Sequence, residues 1–210
     1  MGPNDNLGRL VAYFGRHGET ANNAQGRFRG QSNIPLDENG ERDAENMGKF
    51  FAGKDIGSVY SSTKDRTIVT ARAVADPKNL EVTPVAAFDP LNVGYLAGEK
   101  KEDHEHVMPF FQNNPDEKIP MGESINDFRK RTQPDLKKIL KIGFSAPKPP
   151  LAVVHSSIIH EVNHMLTGNH NETLVKPGGV IAVYHHPTHG FKIKALLHPS
   201  IGASDSKYAG

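Results

Sequence analysis

The chain has 210 residues, 36% hydrophobic and 23% charged, enough for one domain with a full core or one core with a modest insertion. A formal net charge of +1 excludes a global electrostatic trap for nucleic acid or anionic membrane, so any basic patch has to be local. Cysteine is absent, which excludes a disulfide framework and fits a reducing, cytoplasmic compartment.

The N-terminal run MGPNDNLGRL lacks the apolar stretch of a secretory signal, and Asn6 stands where a myristoylation motif wants Ser or Thr. No stretch approaches the ~20 apolar residues of a membrane span. Leu10 to Phe14 is a short apolar run closed by Gly15 and reads as a buried strand. From Asp37 to Ala52, Ala44, Met47, Gly48 and Phe51 recur at helical spacing, with Asp37 as the N-cap. Ser58 to Ser61 reads as a second strand, Thr67 to Ala75 as a helix, and Glu81 to Phe88 as a third strand. Residues 98–122 are polar and carry Pro109, Pro115 and Pro120, which marks a short insertion with room for one short helix. Ser124 opens a helix with Asp127 in capping-box position and a face of Ile125, Phe128, Leu136, Ile139 and Leu140. Pro147, Pro149 and Pro150 break the chain before the strand Leu151 to Val154, and a helix follows from about Ser157 to Leu166. Val180 to His185 and Phe191 to Leu197 form a hairpin about Pro187 to Gly190.

Alternating strands and helices predict a three-layer α/β/α sandwich with a largely parallel central sheet, in one domain over residues 1–199 with a flexible tail over 200–210. Ligands in such sheets sit at the carboxyl ends of the strands. Three chemically loaded segments fall there: Arg16-His17-Gly18, Ser61 to Arg66, and His155-Ser156. Arg16 offers a planar fork for a phosphate beside an imidazole that can act as a nucleophile. Gly18 permits a tight turn and a close backbone approach to a ligand. Arg66 falls near the positive end of a helix, a position that favours a cation only when an anion is there too.

In combination these residues resemble the histidine phosphatase superfamily, also called phosphoglycerate-mutase-like. The family's Arg-His-Gly-Glu-(Ser/Thr) matches Arg16 to Thr20, its later asparagine matches Asn23, and its Arg-Phe-x-Gly matches Arg27, Phe28 and Gly30. Ser61, Ser62, Arg66, Thr70 and Ala71 match a second signature; Gly122, Glu123 and Ser124 a third; His155 the late histidine. The resemblance implies a phosphatase without a cofactor or metal. His17 would take the phosphoryl group, Arg16, Arg66, Asn23 and a protonated His155 would cage its oxygens, and water would release it. Gly18, Arg29, Glu123 and Ser156 join the expected phosphate- or substrate-binding set.

Two departures stand out. Where the family places a glutamate as general acid, this chain has Pro90, with Asp89 one residue early. Asp89 is the first candidate to protonate the leaving group and Glu123 the second; without either, the enzyme would favour good leaving groups. The insertion holds no paired arginine before Arg129, which favours a phosphatase over a phosphoglycerate-type mutase. Two other readings compete. His160-Glu161-Val162-Asn163-His164, with His170 as third ligand, spells a zinc hydrolase motif, although no Met follows His170 to make a Met-turn. The displaced acid also allows a phosphate-ligand-binding pseudoenzyme. The expected partner is a small phosphorylated substrate, with no nucleic acid or membrane; oligomeric state is left open, a dimer being one option.

Overall fold

The computed structural model describes residues 7–169 and 175–197. Six strands form one sheet in the order β3-β2-β4-β1-β5-β6: β1 (Arg9–Arg16), β2 (Ser58–Ser61), β3 (Val82–Pro84), β4 (Pro150–Val154), β5 (Val180–His186) and β6 (Gly190–Leu197). The pairs β3–β2, β2–β4 and β4–β1 are parallel, while β5 and β6 add an antiparallel hairpin. β4 is buried throughout, as a central parallel strand covered on both faces must be.

The helices are α1 (Ala21–Ala24), α2 (Glu38–Phe51), α3 (Asp65–Ala75), α4 (Val107–Asn113), α5 (Ile125–Ser145) and α6 (Ser156–Thr167). Strand alternation splits the core in two. Leu151, Val153, Val180 and Ala182 meet Met47 and Phe51 of α2 and Ala71 and Val74 of α3. Ala152, Val154, Ile181 and Val183 meet Leu136 and Ile139 of α5 and Ile158 and Val162 of α6. This is the three-layer α/β/α sandwich expected.

Local signals act as anticipated. Asp37 caps α2 by accepting from the Gly40 N–H at 2.9 Å, and Ser124 caps α5 by accepting from Asp127 N–H at 3.0 Å. Two boundaries differ from expectation. The third strand stops at Pro84 and Ala86–Phe88 turns in a 3₁₀ coil after Val85 N–H makes a last bond to the Ser61 carbonyl at 2.8 Å; Pro84 is tolerated because β3 lies at the sheet edge. α3 begins at Asp65, two residues earlier than read, which puts Arg66 in the first turn. The insertion holds one short helix, α4. The expected tail at 200–210 lies outside the described residues.

Candidate active site

The site forms where β1, β2 and β4 end. His17 follows β1 and donates its backbone N–H to the Val154 carbonyl at 3.0 Å, so it is pinned to the end of β4. The chain then turns at Gly18, where a Cβ would stand 2.2 Å from the Gly40 carbonyl oxygen. Only glycine fits that backbone-to-backbone contact.

The His17 side chain is fully buried. Its Nδ1 lies 2.6 Å from the Gly18 carbonyl and its Nε2 3.3 Å from Nη1 of Arg29. A carbonyl only accepts and a guanidinium only donates, so Nδ1 carries the proton and Nε2 presents its lone pair. Burial, then the charge of Arg29, then His155, Arg66 and Arg16, hold the imidazole neutral with a pKa well below 6.5.

His155 caps the N-terminus of α6, its ring 5.1 Å from that of His17. Its Nε2 meets the Ser62 hydroxyl at 2.7 Å, and Ser62 in turn meets the Thr67 hydroxyl at 2.7 Å. The expectation of a protonated His155 is not met: burial, followed by Arg66, Arg29 and Arg16, holds this ring neutral as well.

Two further guanidiniums are nearly enclosed. Arg16 donates to the Val175 carbonyl at 3.1 Å, and Arg66 to the Ser32 carbonyl at 2.7 Å. Burial acts first against the charge of both. Arg29 also donates to Oδ1 of Asn23, which accepts from the Thr20 N–H at 3.2 Å as well. Among the described residues, Arg16 Nε, Arg66 Nε and His155 Nδ1 are buried without a hydrogen-bond partner. Three such atoms on groups whose charges all act on the His17 ring make up a cradle that suits an anion. The cradle opens into a cavity of about 270 Å³ that Arg29, Arg66, His155 and Ser156 line.

The structure thus gathers His17, Arg16, Arg66, His155, Asn23, Gly18, Arg29 and Ser156. It does not bring in either acid candidate. Both oxygens of Asp89 are engaged, by the Thr63 N–H at 3.0 Å, the Thr63 hydroxyl at 2.8 and 2.9 Å, and Lys64 Nζ at 3.1 Å. Pro90, not Asp89, lines the cavity. Glu123 accepts from Asn92 N–H at 2.8 Å and from Arg131 at 2.8 and 2.9 Å, which ties two loops together away from the cradle.

In the rival metal motif, Glu161 accepts from Gln133 at 2.7 Å and from Arg129 at 3.4 Å, so its oxygens are occupied. His160, Glu161 and His164 lie on the cavity wall, and among the described residues no group of three or more His, Cys, Asp or Glu is placed to hold a metal ion. His170 is outside the described residues. Reading the sequence missed the Ser62 bond to His155, the contact of Arg29 with Nε2, and Lys101 on the cavity wall. Ser62 stood inside a recognised motif and Arg29 in the expected binding set, though neither contact was read, while Lys101 carried no signal.

The family model of the histidine phosphatase superfamily (branch 1) matches residues 12–199. A "Probable phosphoglycerate mutase GpmB" of Klebsiella pneumoniae is 32% identical over 151 residues, which covers 70% of this chain and 69% of the relative. Its namesake from Yersinia pestis is 31% identical over 151 residues, with the same coverage. Among solved structures, a phosphoglycerate mutase from Bacillus anthracis superposes with a TM-score of 0.76 at 23% identity, over 90% of this chain and 94% of that one. The alpha-ribazole phosphatase of Shigella flexneri gives 0.73 at 20% identity, over 92% and 99% of the two chains. At such identities the solved structures speak to the fold, while the family model and the curated relatives speak to descent: the chain belongs to the histidine phosphatase superfamily, branch 1.

Proposed function

We propose that the chain is a phosphatase that moves a phosphoryl group from a phosphate ester to Nε2 of His17 and from there to water. The orphaned nitrogens of Arg16, Arg66 and His155 around His17 carry this reading. In the tautomer in which Ser62 donates to Nε2 of His155, that ring's proton sits on Nδ1, the nitrogen without a partner among the described residues. Three donors then face the equatorial oxygens of the trigonal phosphoryl group in a water-poor site, where such bonds stabilise the transition state most. Arg29 supplies a fourth by shifting from Nε2 to a phosphoryl oxygen. The proton on Nδ1 stays on the Gly18 carbonyl side, so His17 enters and leaves the cycle as neutral imidazole.

The test is rapid quench at neutral pH with a phosphate labelled in the transferring group, on wild type and His17→Ala. Label on His17 with release of inorganic phosphate is expected, and a loss of at least about 10⁴-fold in His17→Ala. Label delivered to a second hydroxyl of the substrate instead of water would replace the phosphatase by a mutase, the activity that the curated relatives are named for. Undiminished turnover in His17→Ala would end the covalent reading.

A further inference from the structure

Among the described residues, the cavity has an excess of cations and no carboxylic acid to spare. Asp89, Glu123 and Glu161 each spend both oxygens on protein partners. Pro90, which has no proton to give, fills the wall between them. His160, also on the wall, is held toward its neutral form, first by burial and then by Arg16. None of these described side chains is placed to protonate an alkoxide, and its unassisted departure is slow, since the parent acid of such an anion is as weak as water, with a pKa of about 16. A phosphate oxygen needs no such help, because the second pKa of a phosphate monoester is about 6.

The charges point the same way. Among the described ion pairs none involves Arg16, Arg29, Arg66 or Lys101. Burial and then Arg29 and Arg16 work against the charge on Lys101. One phosphoryl group brings about two negative charges to four cations, whereas a diphosphate brings about three. Beyond the cations the wall has an apolar part, made by Phe28, Leu91, Val93, Met108, Ile125 and Phe128, beside the polar Gln112, Ser157, His160, Glu161 and His164.

We propose that the preferred substrates are organic diphosphates with an apolar organic group, a proposal that rests on the phosphatase reading and specifies its leaving group. The terminal phosphorus bonds to Nε2 of His17 as its bond to the bridging oxygen breaks. The electron pair stays on that oxygen, which departs within an organic monophosphate held by Lys101. Water then adds to the phosphorus, the bond to Nε2 breaks, and inorganic phosphate leaves with both protons of the water. The organic group rests against Phe28 and Phe128.

The experiment compares geranyl diphosphate with geranyl monophosphate, and ADP with AMP, following inorganic phosphate and label on His17. For the geranyl pair, kcat/KM for the diphosphate is expected to exceed that for the monophosphate by at least about 100-fold, with one phosphate released per molecule and the monophosphate accumulating. Lys101→Gln is expected to lower the diphosphate rate by about tenfold or more and the monophosphate rate by less, since only the former has a second anion to hold. Equal or faster turnover of the monophosphate, with His17 labelled by both, would overturn this proposal and leave the phosphatase reading standing. No label on His17 from any of the four would overturn both. ADP outpacing geranyl diphosphate would overturn the apolar part alone.

Discussion

At the scale of single residues, the site is a set of charges that runs from the buried Arg16 and Arg66 to the half-buried Arg29. Arg29 is the residue through which this becomes measurable, because it touches Nε2 of His17, the nitrogen proposed to take the phosphoryl group. Phosphoryl transfer needs the lone pair on Nε2, so activity falls where His17 takes up a proton. Burial and Arg29 are the two largest reasons that this happens well below pH 6.5. The acid limb of kcat/KM therefore lies below the titration range of free imidazole, and in Arg29→Gln it moves up toward that range, as a pH-rate profile of the two proteins will read. An unmoved limb would mean that burial alone sets it. The residues with loud chemical types were legible from the sequence: Arg16, His17, Arg66 and His155 all follow apolar runs that had to be strands. The aim of Asp89 and the reach of Arg29 were not legible. Each depends on a loop whose course is decided by partners distant in the chain, Thr63 and Lys64 for one and Asn23 and His17 for the other.

At the scale of elements, the architecture was readable because periodicity marks a buried face wherever the chain alternates. The face of α5 read from Ile125, Phe128, Leu136, Ile139 and Leu140 is the face that the structure buries. The short edge strand β3 was overestimated, since an edge position with Pro84 carries apolar residues without a ladder to match. The way α5 seats on the sheet was invisible, because it rests on a missing side chain. A Cβ on Gly143 would stand 1.9 Å from the Val11 carbonyl oxygen, so the helix lies directly on the backbone of β1. Gly143→Ala gains intrinsic helix propensity of about 1 kcal/mol, yet the backbone clash outweighs it. The expected net effect is a loss of about 2 kcal/mol or more, read as a lower midpoint in denaturant at unchanged m-value. An unchanged or raised midpoint would show that α5 can slide away without loss.

At the scale of the whole molecule, the site belongs to no single part of the chain. Arg16 pairs in register with Val154, and His17 is tied to that same residue. The two segments that make the reactive centre therefore meet only after everything between them has been gathered in. Closing so long a loop is entropically late and kinetically slow. On refolding from denaturant, the return of phosphate release is expected to coincide with the slowest phase of tertiary structure formation, followed by near-ultraviolet dichroism beside an activity assay on the same samples. Activity that returns ahead of that phase would mean that the β1–β4 pairing forms in a partly folded chain. For the organism that makes such a protein, the placement acts as a safeguard: a half-finished copy has not yet joined His17 to His155, so whatever chemistry the centre performs is licensed only by completion.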